Sequence, residues 1–291
     1  MPFTALGGSA GTVTVGDVSL GLFPQALHPN VMAYVAGQSS IGYAMSINEI
    51  DAVNNLVWGM VGSGLWDKMQ VIYPCIGNNA ASFKWNLKNT SSFNITFLGS
   101  WTFASTGMKI ASASRSNYGR TGYTPSTSGQ VIGSAHASIY LRNFYLATSP
   151  LAESVFGCYG QFNQQGTLIG VSHYVANSST MTCQNTTPTS SGVINLSGYS
   201  GGMLTVNRNT SGAYSVATLN GTEKSVNLGA TSSNVGTLEM WVGMANIAGG
   251  TAIPQPQEIA FATIGLGLSR LDIESLYDIV QAFQTKLGRQ V

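Results

Sequence analysis

Hydrolysis of a glycosidic bond needs two carboxylates facing one cleft, at a separation that sets the stereochemical outcome. The chain has 11 acidic residues, yet between Lys68 and Gln257 only Glu153, Glu223 and Glu239 occur. None of these stands in an E-x-D or E-x-E pattern, which would place two carboxylates on one face of a strand. The close pairs Glu49/Asp51 and Asp272/Glu274 fall at the starts of helical patterns, where capping and the helix dipole account for them. No catalytic residue is assigned, and the sequence reads as non-enzymatic. His28, His136 and His173 are isolated, and Cys75, Cys158 and Cys183 lack the spacing of a zinc site. No metal residue is assigned, and the cysteines read as buried, reduced thiols. Gly7-Gly8-Ser9-Ala10-Gly11 lacks the lysine of a phosphate loop. A D-x-D-x-D calcium loop is absent, but backbone carbonyls can ligate calcium, so that ion stays open although no cofactor is assigned.

Binding chemistry is better supplied. Saccharides are held by aromatic faces packed on the ring and by Asn, Gln and Arg hydrogen bonds to hydroxyls. The segment SRSNYGRTGYTPSTS (Ser114–Ser128) offers Tyr118, Arg120 and Tyr123, and INLSGYSGG (Ile194–Gly202) offers Tyr199. These four are the candidate glycan contacts. In the competing reading the tyrosines cap the fold or face a neighbouring subunit. Trp85 and Trp101 sit in apolar, strand-like contexts and read as core.

The elements that must position these groups are mostly strands. Residues 1–45 are Gly-punctuated and read as an extended arm. Ser46 with Glu49 makes a capping box. Ile50, Val53, Val57, Met60 and Val61 then recur at helical spacing, and Leu65, Trp66 and Met69 follow as a second apolar cluster. From about residue 71 to 265 the pattern is β: Phe93, Ile95 and Phe97 alternate with polar partners, as do Leu204 and Val206. Met203–Val226 reads as a three-strand meander with turns at Asn209–Gly212 and Asn220-Gly221. Leu238, Met240, Val242 and Met244 line one face of another strand, and Ile259–Ile264 reads as a buried one. The chain closes with a helix over 269–287: Ser269 caps it, Asp272 and Glu274 lie in its first turn, Lys286 lies in its last, and Gly288 stops it.

Composition narrows the function classes. Only 8% of residues are charged, 44% are hydrophobic and 35 are glycine, which suits many short strands joined by tight turns rather than disorder. The net charge of +1, with no basic run, gives no attraction to nucleic acid. No apolar run is long enough to insert in a membrane, and the N-terminus lacks the pattern of a secretory signal. Weak self-repulsion favours association into an assembly.

Four segments together resemble a family of tailed-bacteriophage structural proteins with a concanavalin A-like (laminin-G-like) jelly-roll domain. They are INEIDAVNNLVWGMVGSGLWDKMQVIYPCIG, FKWNLK, FLGSWTFASTGMK and FATIGLGLSRLDIESLYDIVQAFQTKLGRQV. The resemblance covers roughly residues 46–291, and its two ends are the specific part. Gly122-Tyr123 before Pro125-Ser126-Thr127 fits the family; Asn89, where an acidic residue is common, departs from it and weakens an ion site there. The resemblance implies a mainly β chain: an extended arm (1–45), a helical docking segment (46–75) and a lectin-like jelly-roll β-sandwich (76–291) closed by the C-terminal helix. It further implies a virion context; together with the candidate glycan contacts the reading is a virion surface protein of tail-fibre or appendage type, assembled in the host cytoplasm and contacting host-surface glycans. The arm and helix would dock on other virion proteins, in a homo-oligomer for which a trimer is the guess. The alternatives are a head decoration, cement or head-fibre protein without a ligand, and a polysaccharide depolymerase.

Overall fold

The structure, a computed structural model, describes residues 25–144, 153–160, 167–172, 178–183, 192–209, 214–226, 235–248, 253–254 and 256–291. The first 24 residues of the expected arm and the Asn209–Gly212 turn beyond Asn209 lie outside these.

Residues 29–40 are not extended: they form helix α1 (Pro29–Ser40). Pro29 sits at the first helical position, where its missing N–H is no loss, and the His28 ring accepts from the backbone N–H of Asn30. Its buried side is Val31, Tyr34 and Gln38, with Gln38 bridging the Tyr34 hydroxyl and the carbonyls of Ile76 and Ser82. Helix α2 (Ile47–Gly62) starts at the expected Ser46/Glu49 capping box. Its buried stripe, Ile50, Val53, Leu56, Val57 and Met60, packs within the chain itself. A 3-10 turn at Trp66–Lys68 leads directly into strand β1 (Met69–Tyr73). Residues 46–75 thus contribute to the sandwich itself: β1 is one of its strands, and the apolar face of α2 is covered inside the fold.

A single helical turn α3 (Ala80–Phe83) precedes the remaining strands. These are β2 (Thr96–Leu98), β3 (Trp101–Ala104), β4 (Gly107–Ile110), β5 (Tyr118–Arg120), β6 (Ser134–Leu141), β7 (Glu153–Ser154), β8 (Phe156–Tyr159), β9 (Thr167–Ser172), β10 (Ser178–Cys183), β11 (Gly192–Asn195), β12 (Gly202–Asn209), β13 (Tyr214–Leu219), β14 (Thr222–Val226), β15 (Trp241–Val242), β16 (Asn246–Ile247), β17 (Ile253–Pro254) and β18 (Ile259–Gly265). The chain ends in α4 (Arg270–Lys286), capped by Ser269 as expected, with Asp272 completing a capping box. One sheet runs β14-β13-β12-β6-β18-β4-β3, with β1 also paired to β18. The other runs β11-β10-β9-β8-β15-β5-β2, with β16 on β8. Asn220 and Gly221 take φ of 51° and 72° in the β13–β14 turn, the double positive φ that a type I′ hairpin requires. Phe93, expected in a strand, instead has φ of 56°, and pairing begins only at Thr96.

The architecture has three layers. Ala135, Ala137, Ile139 and Leu141 of β6, with Leu204 and Val206 of β12, point into the space between the sheets. Alternate residues of the same strands, Tyr140 and Met203, point the other way and meet α2, α4, Phe261 and Phe283. With both faces covered, the first sheet buries polar groups too, and several of these are paired: Thr205 donates to Ser138, Asn207 donates to Leu268 O, and His136 Nδ1 meets Leu266 O at 2.6 Å. Arg289, just past α4, is buried and donates to Gln284 and to the carbonyls of Pro74, Cys75 and Ala260. It ties the C-terminus to the junction after β1. No described helix is long and apolar enough to cross a membrane.

Candidate functional site

The second sheet presents its outer face at β5 and β15. Gly119 and Val242 point inward, since a Cβ on Gly119 would meet Ile95 at 2.8 Å and Val242 is core. Their neighbours Tyr118, Arg120 and Trp241 therefore share the outer face, and register sets Trp241 opposite Arg120. Tyr118 and Trp241 stack with centroids 4.0 Å apart and ring planes 16° from parallel. They line a depression of about 230 Å³ together with Arg115, Met244, Ala245, Asn246 and Ile247.

Glu239, two residues before Trp241, clamps this arrangement. Its Oε2 accepts from Arg120 Nε at 2.8 Å and from Trp241 Nε1 at 3.4 Å, and its Oε1 accepts from the Gly122 N–H at 2.6 Å. The hydrogen bond and charge of Glu239 raise the Arg120 guanidinium above its usual pKa. The Asn246 side chain donates to Glu239 O at 3.0 Å, and the Arg115 turn is closed by Asn117, which donates to Ser112 O. The site thus offers an aromatic platform, an apolar floor and a rim of arginine and asparagine.

The four sequence candidates divide. Tyr118 and Arg120 are brought together. Tyr123 is not a contact residue: it is fully buried, packs edge-on against Phe93 and donates its hydroxyl to Gln70. Thr121 and Tyr123 hold the chain after β5 against Met240 by hydrogen bonds, which turns Tyr123 inward. Tyr199 is exposed, but it lies after β11 beside Lys224 of β14, at the edge of the sandwich away from β5. Trp241, Glu239 and Asn246 were missed. Their signal was present: where Met240 and Val242 face the core, strand alternation sends Glu239 and Trp241 outward. Trp101 packs against the core as expected, whereas Trp85 is half-buried beneath Lys84.

Glu223 lies on β14 near Arg270, remote from Glu239, and the side chain of Glu153 lies outside the described residues. Among the described residues no group of three His, Cys, Asp or Glu could hold a metal ion. Cys75 and Cys158 are buried, and burial pushes the Cys75 thiol up to about 12.

No family model matches the chain, and no curated protein does either. Solved structures do. Domain 4 of AbnA, a GH43 extracellular arabinanase from Geobacillus stearothermophilus solved in complex with arabinotriose, superposes with a TM-score of 0.50 at 12% identity, over 72% of this chain and 98% of that one. A structure of botulinum neurotoxin type C, described as dependent on two ganglioside molecules for cell entry, gives 0.51 at 16% identity, over 76% of this chain and 53% of that one. This chain therefore corresponds to about half of that toxin chain. At such identities the likeness speaks for the fold, and with the two stacked sheets and flanking helices it makes this chain a lectin-like jelly-roll β-sandwich.

Proposed function

We propose that this chain is a non-enzymatic surface protein of a tailed-phage virion, of tail-fibre or appendage type, whose sandwich binds host-surface glycans at the Tyr118–Trp241 face. The observation that carries the glycan reading is the stacked ring pair on an outward sheet face, beside a depression rimmed by Arg115 and Asn246. A pyranose needs these parts: an aromatic surface for its C–H face and fixed polar groups for its hydroxyls. The solved structures in complex with, or dependent on, saccharides share the fold and point the same way. The non-enzymatic reading is supported by Glu239, whose two carboxylate oxygens accept three hydrogen bonds from within the chain. A general acid or nucleophile needs an oxygen free to reach substrate. The virion assignment rests on the sequence resemblance.

A glycan array probed with wild type and with Trp241→Ala tests the binding half. Wild type labels a defined subset of saccharides, and Trp241→Ala loses at least tenfold of that signal while keeping its melting temperature within a few degrees, since Trp241 is only partly buried. Equal labelling by both proteins rejects this face as the site. Immunogold labelling of intact particles tests the virion half: label at the tail supports it, label over the head moves the role to decoration, and unlabelled particles reject it.

A further inference from the structure

Resting on the glycan reading, we infer that the saccharide bound at this face carries a carboxylate, as a uronic or sialic acid does, and that Arg120 and Arg115 receive it. Among the described residues, three charged side chains border the ring pair: Arg115, Arg120 and Glu239. Glu239 is covered by its partners, its side chain 14% exposed and both oxygens engaged by Arg120, Trp241 and Gly122. The arginines are turned outward. The Arg120 side chain is 56% exposed and makes its hydrogen bond to Glu239 through Nε alone. Its two terminal amino groups have no partner among the described residues, which leaves a planar pair of donors matched to a carboxylate. A neutral hydroxyl would engage one such donor; a carboxylate engages two in parallel.

Arg115 adds a second cation on a fixed support. Its side chain is exposed and lines the depression, and its five N–H donors allow a contact within the chain and one to ligand. The turn that carries it is locked by Asn117, only 3% exposed. Asn117 donates to Ser112 O at 2.8 Å and accepts from the Ser100 N–H at 2.9 Å. At Gly99 a Cβ would come within 1.9 Å of Asn117 Oδ1, so glycine is what lets this clamp close. A cation presented on a locked turn loses less entropy on binding. Asn246, whose amide nitrogen is engaged by Glu239 O, keeps its Oδ1 to accept from a sugar hydroxyl.

The test is calorimetry of the full chain with matched oligosaccharides: galacturonic, glucuronic and N-acetylneuraminic acids against neutral galactose, glucose and arabinose oligomers. At low salt at least one carboxylated oligomer binds about tenfold or more tighter than its neutral counterpart, and the ratio shrinks at high salt because these charges are exposed. Arg115→Gln, and separately the double change Arg120→Gln with Glu239→Gln, each lower that ratio. The double change removes a cation and its counter-ion together and leaves a neutral amide for the Gly122 N–H. Wild type binding neutral and acidic oligomers alike overturns this inference and leaves the glycan reading standing. A preference unchanged in both variants also overturns it. Binding of neither class overturns both.

Discussion

His136 makes this fold acid-sensitive in a way that can be measured residue by residue. It lies on β6, on the face of the first sheet turned toward the helices, and is fully buried. Leu266 O can only accept, so the His136 Nδ1 at 2.6 Å carries the proton, and Nε2 accepts from Thr263 Oγ1 at 3.2 Å. Both ring nitrogens are thus satisfied in the neutral form, and a proton on Nε2 would displace the Thr263 donor. Burial lowers the pKa from 6.5 to about 4, against the partial offset of the Leu266 hydrogen bond. The unfolded chain binds a proton near 6.5 and the folded chain only near 4. The stabilisation is therefore fully present above pH 6.5 and is lost as pH falls between those values. The gap corresponds to roughly 3 kcal/mol, a large share of the 5–15 kcal/mol typical of a domain. Denaturant unfolding of wild type and His136→Gln from pH 7.5 to pH 4 measures it. Carboxylates add a common background, so the wild-type stability should fall by about 3 kcal/mol more than that of the variant over this range. Should the variant not fold, the His136 ring resonance in wild type should remain that of the neutral form down to about pH 5. Parallel stability profiles, or a ring that titrates near 6.5, would refute the reasoning.

Other consequences follow from the same packing. Arg289→Ala strips donors from three buried carbonyls and Gln284 and should cost about 3–5 kcal/mol in urea unfolding, with Arg289→Lys recovering only part because a single ammonium cannot span that fork. Ser269→Ala removes the α4 N-cap and should cost about 1 kcal/mol, read as a lower midpoint with unchanged slope. Tyr123→Phe deletes only the hydroxyl bonded to Gln70. It should lower stability by about 1 kcal/mol while leaving glycan-array labelling intact, which separates Tyr123 from Tyr118.

Much of the local structure was legible because its signals are local. The capping box at Ser46, the N-cap at Ser269 and the Asn220-Gly221 turn each involve residues a few positions apart and appear where the spacing put them; Met240 and Val242 are buried as their alternation implied, but the strand read over 238–244 forms only at Trp241–Val242. Helix α1 was missed because Gly37 and a polar Gln38 interrupt its apolar pattern. Gln38 is buried only because Ile76 and Ser82 come round to accept its amide. Strand β1 was read only in part, from about residue 71: Met69–Tyr73 pairs with β18, nearly two hundred residues later, and no local pattern announces that pairing. The site was half legible. Tyr118 and Arg120 could be picked by type, but Tyr123 differs from them only in tertiary environment, and Trp241 joins them only through the β5–β15 pairing.

The central claim is that a saccharide lies on the Tyr118–Trp241 face, and a crystal structure of the full chain with an array-positive oligosaccharide tests it most directly. The account predicts a sugar ring packed on the stacked pair, with its acidic group on Arg120 or Arg115 and a hydroxyl on Asn246. A sugar seated instead in the loop around Tyr199, or anywhere away from β5 and β15, would contradict it.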